Sequence, residues 1–501
     1  MTATVAQILE AWPQLNLPPN VAGMTPARLV SDSRKIQTGD AFVALPGYAS
    51  DGRAYIDQAI SCGAQLVIAE AESVACREQN KVPVISVPQL TQSLSRVAGR
   101  FYGNPANNLQ VFAVTGTNGK TTCSHLYAQL RASLNDPCGV IGTIGGGIFG
   151  GDLTETGFTT PDAVTSQQLL AQIKRAGARY VSLEASSHSL DQGRISAVPV
   201  HTALFTNLSR DHLDYHGDMQ NYAASKWRLF EFAGLKYAII NYDDQQGLQW
   251  LSSAQFNASV LSYSLSDSAA DVYVTDVQYS QQGVTAFLHS PFGQANLQSP
   301  LIGSFNLSNL LGVVTALLVE GVSLTELMAK VKHLEPVTGR MQLVTAVPSA
   351  AQVVVDYAHT PDGLEQALTA LRSHCQGQLW CVFGCGGDRD TGKRPQMGSI
   401  AERLADRCIV TNDNPRSEAP QTIADDILAG FTVPKQARVV LDRGQAIAEA
   451  IQNAAPADVI LVAGKGHEDY QIIGEQRLAF SDIDISAKAL AAKQQAEEGA
   501  L

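Results

Sequence analysis

Residues 116–122 form a glycine-rich segment whose residue types suit phosphate binding. They are Gly116, Thr117, Asn118, Gly119, Lys120, Thr121 and Thr122. An apolar, β-branched run at 111–115 precedes them and apolar residues at helical spacing follow at 123–134, which predicts a strand, a loop and a helix. In this layout loop N–H groups face anionic oxygens, Lys120 adds positive charge, and the Thr121 hydroxyl can hold Mg²⁺. We therefore expect the chain to bind a nucleoside triphosphate.

The segment departs in one position from the common P-loop pattern, which places a glycine five residues before the Gly-Lys pair. Val114 occupies that position and the first glycine is Gly116. A chance glycine turn is the alternative, but the strand, the Lys-Thr pair and the helix all fit phosphate binding.

Polar residues also follow other strand-like runs. Glu184 ends the run 180–183, and His212 lies in the polar segment 207–216 after the run 203–206. The carboxyl ends of parallel strands meet at one edge of a sheet, so Glu184 is predicted to hold Mg²⁺. A charged residue leaving a strand is the alternative. His212 belongs to a metal site or a solvated loop, and Glu184 on the same edge favours the metal site.

A second series of strand-like runs occupies 353–355, 379–383, 408–411 and 459–463. The glycine-rich turn after 379–383 lacks the last glycine of a dinucleotide fingerprint, since Arg389 stands there. NAD or FAD is therefore not expected. Arg389 and Arg416 follow different strands of one sheet and could converge on one carboxylate, with two surface arginines as the alternative.

Two features favour ordinary structural roles when they are taken alone. Lys226 lies on a predicted helix, 221–232, where a solvated lysine is the favoured interpretation. Cys381 and Cys385 have a spacing that could suggest a metal, but Cys381 falls in a strand-like run, so a buried reduced thiol is favoured.

Composition narrows the class of protein. The chain has 501 residues and a net charge of −12, with no Lys/Arg run longer than two. We expect several domains, no nucleic-acid partner and no membrane insertion. No signal peptide is evident, and the scattered cysteines favour a reduced, cytoplasmic protein.

Alternating apolar runs and Ala/Leu-rich helical stretches predict an α/β protein with parallel βαβ units. The predicted domains are 1–95, 96–339 and 340–501, with a hinge at 337–340. A polar tail after residue 487 is expected to fray.

Taken together, the motifs at 116–122, 184–188, 206–217, 356–361 and 413–416 resemble the Mur ligase family. The resemblance covers essentially the whole chain and accounts for the shortened P-loop. It implies a smaller N-terminal α/β domain for the UDP end of the substrate, a central P-loop parallel α/β ATPase-like domain, and a C-terminal Rossmann-like domain for an amino acid.

The implied activity is ATP-dependent ligation of meso-diaminopimelate to the D-glutamyl γ-carboxylate of UDP-MurNAc-L-Ala-D-Glu, through an acyl phosphate. The expected partners are these three substrates and two Mg²⁺ ions, and the chain is expected to act as a monomer. Lys120 is assigned to the phosphates, Thr121 with Glu184 to one Mg²⁺, and Glu184 with His212 to the other. Lys226 is implied to be a carbamylated lysine and a further metal ligand.

The resemblance also implies three binding sets. The nucleotide set adds Asn306, Arg340, Asp356 and His359. The UDP-dipeptide set is Ser31, Ser33, Ala49, Ser50, Asp51, Thr159, Thr160, Ser186, Gln192 and Arg194. The diaminopimelate set is Arg389, Asp413, Asn414, Pro415, Arg416, Gly464 and Glu468. Phe158 stands where a polar residue is expected.

Three rival functions remain. A folate polyglutamylating ligase would be expected to carry glycine where Thr121 stands and to lack the Asp-Asn-Pro-Arg sequence at 413–416. A P-loop ATPase doing mechanical or switching work would turn over ATP without an amino acid. A nucleotide-binding module would not need Glu184 and His212 beside the P-loop.

Overall fold

The computed structural model describes residues 3–47, 50–280, 283–344 and 351–499. Over this part of the chain the protein forms two compact units, which divide between residues 262 and 263.

The first unit begins with a sheet of strand order β1-β2-β3-β5-β4. Its elements are α1 Val5–Ile8, α2 Pro19–Ala22, β1 Leu29–Val30, β2 Ala41–Ala44, α3 Ile56–Ser61, β3 Leu66–Glu70, β4 Ala75–Gln79, β5 Val82–Val87 and α4 Leu90–Phe101. Every residue of β2 is buried, which is typical of a strand covered on both faces.

A second sheet of the first unit has the order β11-β10-β6-β9-β7-β8. Its elements are β6 Gln110–Thr115, α5 Lys120–Ser133, β7 Cys138–Ile141, β8 Gly146–Ile148, α6 Ala163–Arg175, β9 Tyr180–Glu184, α7 Ser187–Asp191, β10 Val200–Phe205, α8 Leu213–His216, α9 Met219–Trp227, β11 Tyr237–Asn241 and α10 Gln245–Ser253. Neighbouring strands are parallel except for β7 with β8. The carboxyl ends of β6, β9 and β10 therefore lie at one edge.

The second unit contains an antiparallel ladder, β13 to β15, and a sheet of order β16-β17-β21-β18-β19-β20 in which β16 alone of the described strands is antiparallel to its neighbour. β12 Ser259–Ser264 spans the junction in sequence. The remaining elements are β13 Val272–Ser280, β14 Gly283–Ser290, β15 Gly293–Ser299, α11 Ser304–Val319, α12 Leu324–Val331, β16 Gln342–Val344, β17 Gln352–Asp356, α13 Pro361–Arg372, β18 Leu379–Phe383, α14 Lys393–Leu404, β19 Arg407–Val410, α15 Pro420–Leu428, β20 Ala437–Val439, α16 Arg443–Asn453, β21 Val459–Ala463, β22 Tyr470–Ile473, β23 Gln476–Ala479 and α17 Asp482–Gly499.

The predicted fraying of the tail after residue 487 is wrong for residues 488–499, and residues 500 and 501 lie outside the described part of the chain. Helix α17 runs through this segment to Gly499. Ala489 and Leu490 are buried in a core cluster of the second unit, and Lys493 Nζ donates a hydrogen bond of 2.9 Å to Ile451 O. Apolar burial and this contact hold a segment that its polar composition alone would leave loose.

Two predictions from composition concern membranes and thiols. Among the described helices, none combines the length and apolarity needed to cross a membrane. Cys381 and Cys385 are buried free thiols, as the interpretation of reduced, buried cysteines expected. Burial raises the pKa of the Cys385 thiol to about 12.

Candidate active site

The glycine loop joins β6 to α5 at the carboxyl edge of the second sheet. Gly119 caps α5 with a φ of 86°, a left-handed conformation that favours glycine. A Cβ on Gly116 would lie 1.9 Å from Thr206 Oγ1, so only glycine fits between the loop and the end of β10. The loop is thus built from residues that allow close approach of backbone.

Residues after β10 fix the shape of this loop. Thr117 N donates to Asn207 O at 2.9 Å, and Asn118 N donates to Asn207 Oδ1 at 2.9 Å. Thr206 Oγ1 donates to Asn118 O at 2.6 Å. These contacts preorganise the backbone that is predicted to face phosphate.

Lys120 turns its ammonium back into the loop. Its Nζ donates to Gly116 O at 2.9 Å and to Thr117 O at 2.8 Å. The cation therefore lies where the predicted phosphate-binding role requires positive charge.

Glu184, at the end of β9, is completely buried and accepts hydrogen bonds from two threonines. Its Oε2 accepts from Thr121 Oγ1 at 2.9 Å and from Thr143 Oγ1 at 3.1 Å. Its Oε1 accepts from Thr143 N at 2.9 Å. The structure thus joins the predicted pair Thr121 and Glu184. The sequence analysis missed Thr143, although a polar residue shortly after β7 was a signal for this edge.

Lys226 is 1% exposed, so the interpretation of it as a solvated lysine is wrong. Its Nζ donates to Gly116 O at 2.8 Å and lies 4.3 Å from the centre of the Tyr222 ring. Burial, with the nearby charge of Lys120, holds the Lys226 pKa well below its usual value. The predicted helix around it is α9, followed by a 3₁₀ turn, Arg228–Glu231.

Three histidines, His188, His212 and His216, cluster near Lys226. The ring of His188 lies 4.8 Å from that of His212 and 5.4 Å from that of His216. Burial lowers the pKa of all three, and the His188 pKa falls to about 4 with help from the other two rings. Neutral imidazole is the form that binds metal.

The metal prediction rests on a mixed ligand set. Over the described ranges there is no group of three or more His, Cys, Asp or Glu side chains suited to a metal ion. The predicted set has two residues of these types, Glu184 and His212, and adds Thr121 and Lys226. The hydroxyl and carboxylate oxygens that Thr121 and Glu184 bring together at 2.9 Å are of the kind Mg²⁺ prefers.

Several residues of the predicted UDP-dipeptide set form one network. Thr160 Oγ1 donates to Glu184 O at 2.6 Å and accepts from Ser186 N at 3.1 Å. Arg194 donates through Nη1 to Thr160 O at 2.7 Å and through Nε to Gln192 Oε1 at 2.9 Å. This network therefore includes the backbone oxygen of Glu184, whose carboxylate is predicted to hold metal.

Two more residues lie beside this network. Thr159 Oγ1 lies 3.1 Å from Thr143 Oγ1, within hydrogen-bond distance. Phe158 is 60% exposed, with the Arg194 guanidinium 5.5 Å from its ring centre. An exposed aromatic ring beside a cation offers a stacking surface rather than the expected polar contact.

The other members of that set lie at the first sheet. Ser31 follows β1, Ser33 Oγ donates to Gln58 Oε1 at 3.3 Å, and Ser50 precedes Asp51. Asp51 accepts from Arg53 N at 3.0 Å. Ala49 lies outside the described residues. The structure thus divides this set between two sheets of the first unit.

The predicted amino-acid residues meet in the second unit. A Cβ on Gly386 would lie 3.0 Å from Arg416 Nη1 and 3.8 Å from Arg389 Cγ. A guanidinium nitrogen of Arg416 and the Cγ of Arg389 therefore both lie beside Gly386, and convergence of the two guanidiniums on one carboxylate stays a prediction. Arg416 Nη1 also donates to Gly387 O at 2.7 Å.

The loops after β19 and β21 supply the other members, Asp413, Asn414, Pro415, Gly464 and Glu468. Asn414 Nδ2 donates to Glu468 Oε2 at 3.0 Å. A Cβ on Gly464 would lie 2.5 Å from Asp413 Oδ2, so the two loops pack against each other. Pro415 O would lie 1.9 Å from a Cβ on Gly387, so the loop after β18 packs into the same cluster.

The second unit also contains the four remaining nucleotide residues. Asp356 Oδ2 accepts from Met341 N at 2.8 Å, and burial raises the Asp356 pKa. The Arg340 guanidinium lies 4.6 Å from the centre of the Tyr357 ring. His359 Nδ1 lies 2.7 Å from Tyr357 O.

Among these four residues, Asn306 gives the clearest indication of a bound ligand. Its Nδ2 donates to Ile302 O at 2.8 Å. Its Oδ1 is buried with no hydrogen-bond partner among the described residues. A buried acceptor without a partner is rare, and a ligand donor would satisfy it.

Comparison with known proteins identifies the family. Residues 28–102, 114–317 and 339–466 match models described as "Mur ligase family, catalytic domain", "Mur ligase middle domain" and "Mur ligase, glutamate ligase domain". A protein of Ectopseudomonas mendocina (strain ymp), named UDP-N-acetylmuramoyl-L-alanyl-D-glutamate--2,6-diaminopimelate ligase, is 49% identical over 476 residues, 95% of this chain and 97% of the relative. The chain belongs to the Mur ligase family.

Other relatives of this Mur ligase agree. A protein of the same name from Pseudomonas aeruginosa is 49% identical over 464 residues, 93% of this chain and 95% of the relative. A solved structure of a ligase with that name is 38% identical with a TM-score of 0.72, and the match covers 99% of this chain and 100% of that chain.

The comparisons confirm the predicted family and the α/β fold class with three-domain Mur ligase architecture. The domain boundaries near residues 95 and 340, and the roles of single residues, stay predictions. Thr143, Thr206 and Lys465 contact predicted site residues, and no role was predicted for any of them, although Thr206 belongs to the motif 206–217.

Proposed function

We propose that this Mur ligase joins meso-diaminopimelate to the D-glutamyl γ-carboxylate of UDP-MurNAc-L-Ala-D-Glu, with ATP, in peptidoglycan precursor synthesis. The observation that carries the proposal is 49% identity across 95% of the chain to a relative whose name states this ligation. The glycine loop of the first unit and the arginine pair Arg389 and Arg416 of the second would supply the two kinds of chemistry that the reaction needs.

The first step activates the carboxylate. An oxygen of the D-glutamyl carboxylate attacks the γ-phosphorus of ATP, ADP leaves, and an acyl phosphate forms. Lys120 and the loop N–H groups stabilise negative charge on the transferring phosphoryl group. Lys120 is already anchored on Gly116 O and Thr117 O, so little reorganisation is needed.

In the second step the amine of diaminopimelate attacks the acyl carbon through a tetrahedral intermediate. The nitrogen loses a proton, and inorganic phosphate leaves as the amide forms. Acyl phosphates hydrolyse readily, so the site must exclude water while the amine arrives.

We assign two Mg²⁺ ions to the edge of the second sheet. Thr121 and Glu184 would hold one, and Glu184, His212 and the modified Lys226 the other. When bound, the ions would neutralise charge on the phosphates. The buried carboxylate of Glu184, already bonded to two hydroxyls, is the observation that supports this assignment.

We further propose that Lys226 is carbamylated. The amine nitrogen attacks the carbon of CO₂ and releases a proton, which requires the neutral amine. A buried Nζ with a pKa well below its usual value supplies that form. The product is an anionic oxygen ligand of the kind that Mg²⁺ prefers.

For the amino acid, we propose that Arg416 binds the distal carboxylate of diaminopimelate and that Arg389 assists. A guanidinium offers two parallel donors to a carboxylate. Lysine lacks this carboxylate, so it would leave the arginine pair without its partner. We place the reaction in the cytoplasm, where ATP is available, and expect a monomer.

The decisive experiment measures phosphate release with ATP, Mg²⁺ and UDP-MurNAc-L-Ala-D-Glu, comparing meso-diaminopimelate with L-lysine. We expect release with diaminopimelate and a much lower kcat/KM with lysine. Preference for lysine would overturn the choice of amino acid. Glutamylation of a folate substrate in place of the UDP-dipeptide would overturn the whole proposal.

A further inference from the structure

Lys465 is a buried cation to which the proposed function gives no role. It follows Gly464 at the end of β21 and is 0% exposed. Burying an ammonium group is costly unless it is paired and hydrogen-bonded. Its contacts therefore show why the chain keeps a lysine at this position.

Lys465 closes a ring of three side chains. Its Nζ donates to Asn414 Oδ1 at 3.1 Å and to Glu468 Oε2 at 3.0 Å. Asn414 Nδ2 completes the ring with a 3.0 Å hydrogen bond to the same Glu468 oxygen.

The ring fixes the orientation of the Asn414 amide. Its Oδ1 accepts from Lys465 and also from Ile472 N at 2.9 Å. The NH₂ group must then face Glu468. An apolar side chain in place of Lys465 would remove one of the two donors that set this orientation.

The ring also orients the Glu468 carboxylate. Both hydrogen bonds use Oε2, and in the part of the chain that the structure describes Oε1 has no protein donor. The side chain keeps 18% exposure. One oxygen is therefore held by the protein while the other remains accessible to a ligand ammonium.

We propose that Lys465 is a positioning residue that presents Asn414 and Glu468 to the amine-bearing part of the amino-acid substrate. The inference rests on the proposed function and on the predicted diaminopimelate set, which includes both Asn414 and Glu468. Lys465 itself does not touch the substrate. It acts by anchoring one carboxylate oxygen and one amide oxygen beside the arginine pair.

The test is steady-state kinetics of Lys465→Met, which keeps an unbranched side chain, one atom shorter, and removes the charge. We expect the KM for diaminopimelate to rise about 30-fold to 10³-fold, the range for losing one partner of a buried charged pair. The KM values for ATP and the UDP-dipeptide should stay within about 2-fold, because their predicted contacts do not include this ring.

A double-mutant cycle with Glu468→Gln tests the coupling directly. If Lys465 acts through Glu468, Glu468→Gln should raise the KM for diaminopimelate much less in the Lys465→Met background than in the wild type. Equal effects in both backgrounds would overturn the proposal.

Lys493→Met is the matched control, since Lys493 is a lysine of the same unit that bonds to Ile451 O and not to the ring. It should lower the melting temperature without raising the KM for diaminopimelate. If Lys465→Met raises all three KM values in parallel, or leaves that for diaminopimelate unchanged, the positioning role is wrong.

Two further outcomes of these kinetic experiments can be interpreted. If Lys465→Met does not fold, Lys465→Gln is measured by the same criterion. If the wild-type protein shows no diaminopimelate-dependent phosphate release, the proposed function fails first, and this result is distinct from an unaltered KM in the variant.

Discussion

At the residue scale, two lysines share one carbonyl oxygen. Lys120 Nζ and Lys226 Nζ donate to Gly116 O at 2.9 Å and 2.8 Å. Two ammonium groups this close repel each other, and burial penalises the charge on Lys226 further. The site therefore favours a charged Lys120 and a neutral Lys226, which suits one for phosphate and the other for CO₂.

The difference in charge between Lys120 and Lys226 leads to a prediction for Lys226. Lys226→Ala should reduce turnover to near background while the fold remains intact by circular dichroism, because the proposed metal ligand is lost. Lys226→Arg should not restore activity, since arginine keeps its proton. Native ¹³C-bicarbonate NMR should detect the carbamate in the wild type, and a fully active, unmodified lysine would contradict the assignment.

Arg416 carries a second prediction at this scale. With lysine bound, its guanidinium would lack a carboxylate partner, a loss of about 2–5 kcal/mol, or roughly 30-fold to 10³-fold in kcat/KM. Arg416→Lys keeps the charge but loses the two-donor geometry, so it should weaken diaminopimelate use substantially.

Arg416→Ala is the sharper variant. It should narrow the ratio of kcat/KM for diaminopimelate over lysine, chiefly by harming diaminopimelate. An unchanged ratio would show that Arg416 does not recognise the distal carboxylate. Arg389, which approaches the same point beside Gly386, would then be the next candidate.

At the scale of elements, a buried ion pair joins the starts of α16 and α17. Arg443 and Asp482 are both 0% exposed and meet through two hydrogen bonds of 2.7 Å. Arg443 also donates to Asn412 O at 3.1 Å and to Ala463 O at 3.0 Å. These oxygens lie after β19 and at the end of β21, so the pair supports both loops of the predicted amino-acid site.

Breaking the Arg443–Asp482 pair should lower the free energy of unfolding substantially. Asp482→Asn leaves the Arg443 charge buried without its partner, so we expect a loss of about 3–5 kcal/mol in the free energy of unfolding. Glu365→Gln removes the carboxylate of an exposed pair with Arg403 at 2.7 Å and should cost at most about 1 kcal/mol. Urea denaturation of both variants makes the comparison, and equal losses would contradict it.

Strands that are buried on both faces could be predicted from the sequence. The runs 111–115 and 379–383 predicted β6 and β18 because strands inside a parallel sheet give continuous apolar stretches. The burial of Lys226 could not be predicted from the sequence, since it depends on packing against a loop more than a hundred positions earlier. Thr143 was missed for the same reason, because its partner Glu184 lies on another strand.

At the scale of the whole molecule, the predicted residues divide by the chemistry they serve. The residues proposed for phosphate and metal lie in the first unit, and Arg389 and Arg416, proposed for the amino acid, lie in the second. A ligase needs both sets in each turnover, whereas an ATPase needs the first alone. The two functions therefore differ in how phosphate release depends on the other substrates.

We predict that sustained phosphate release requires ATP, the UDP-dipeptide and diaminopimelate together. ATP with Mg²⁺ alone should give background release, because the acceptor of the phosphoryl group is the substrate carboxylate and not water. Lys120→Ala should lower the complete reaction on the order of 10³-fold or more by removing charge stabilisation of the transition state. Vigorous release from ATP alone, itself abolished by Lys120→Ala, would instead identify an ATPase, because the P-loop would then work without the arginine pair of the second unit.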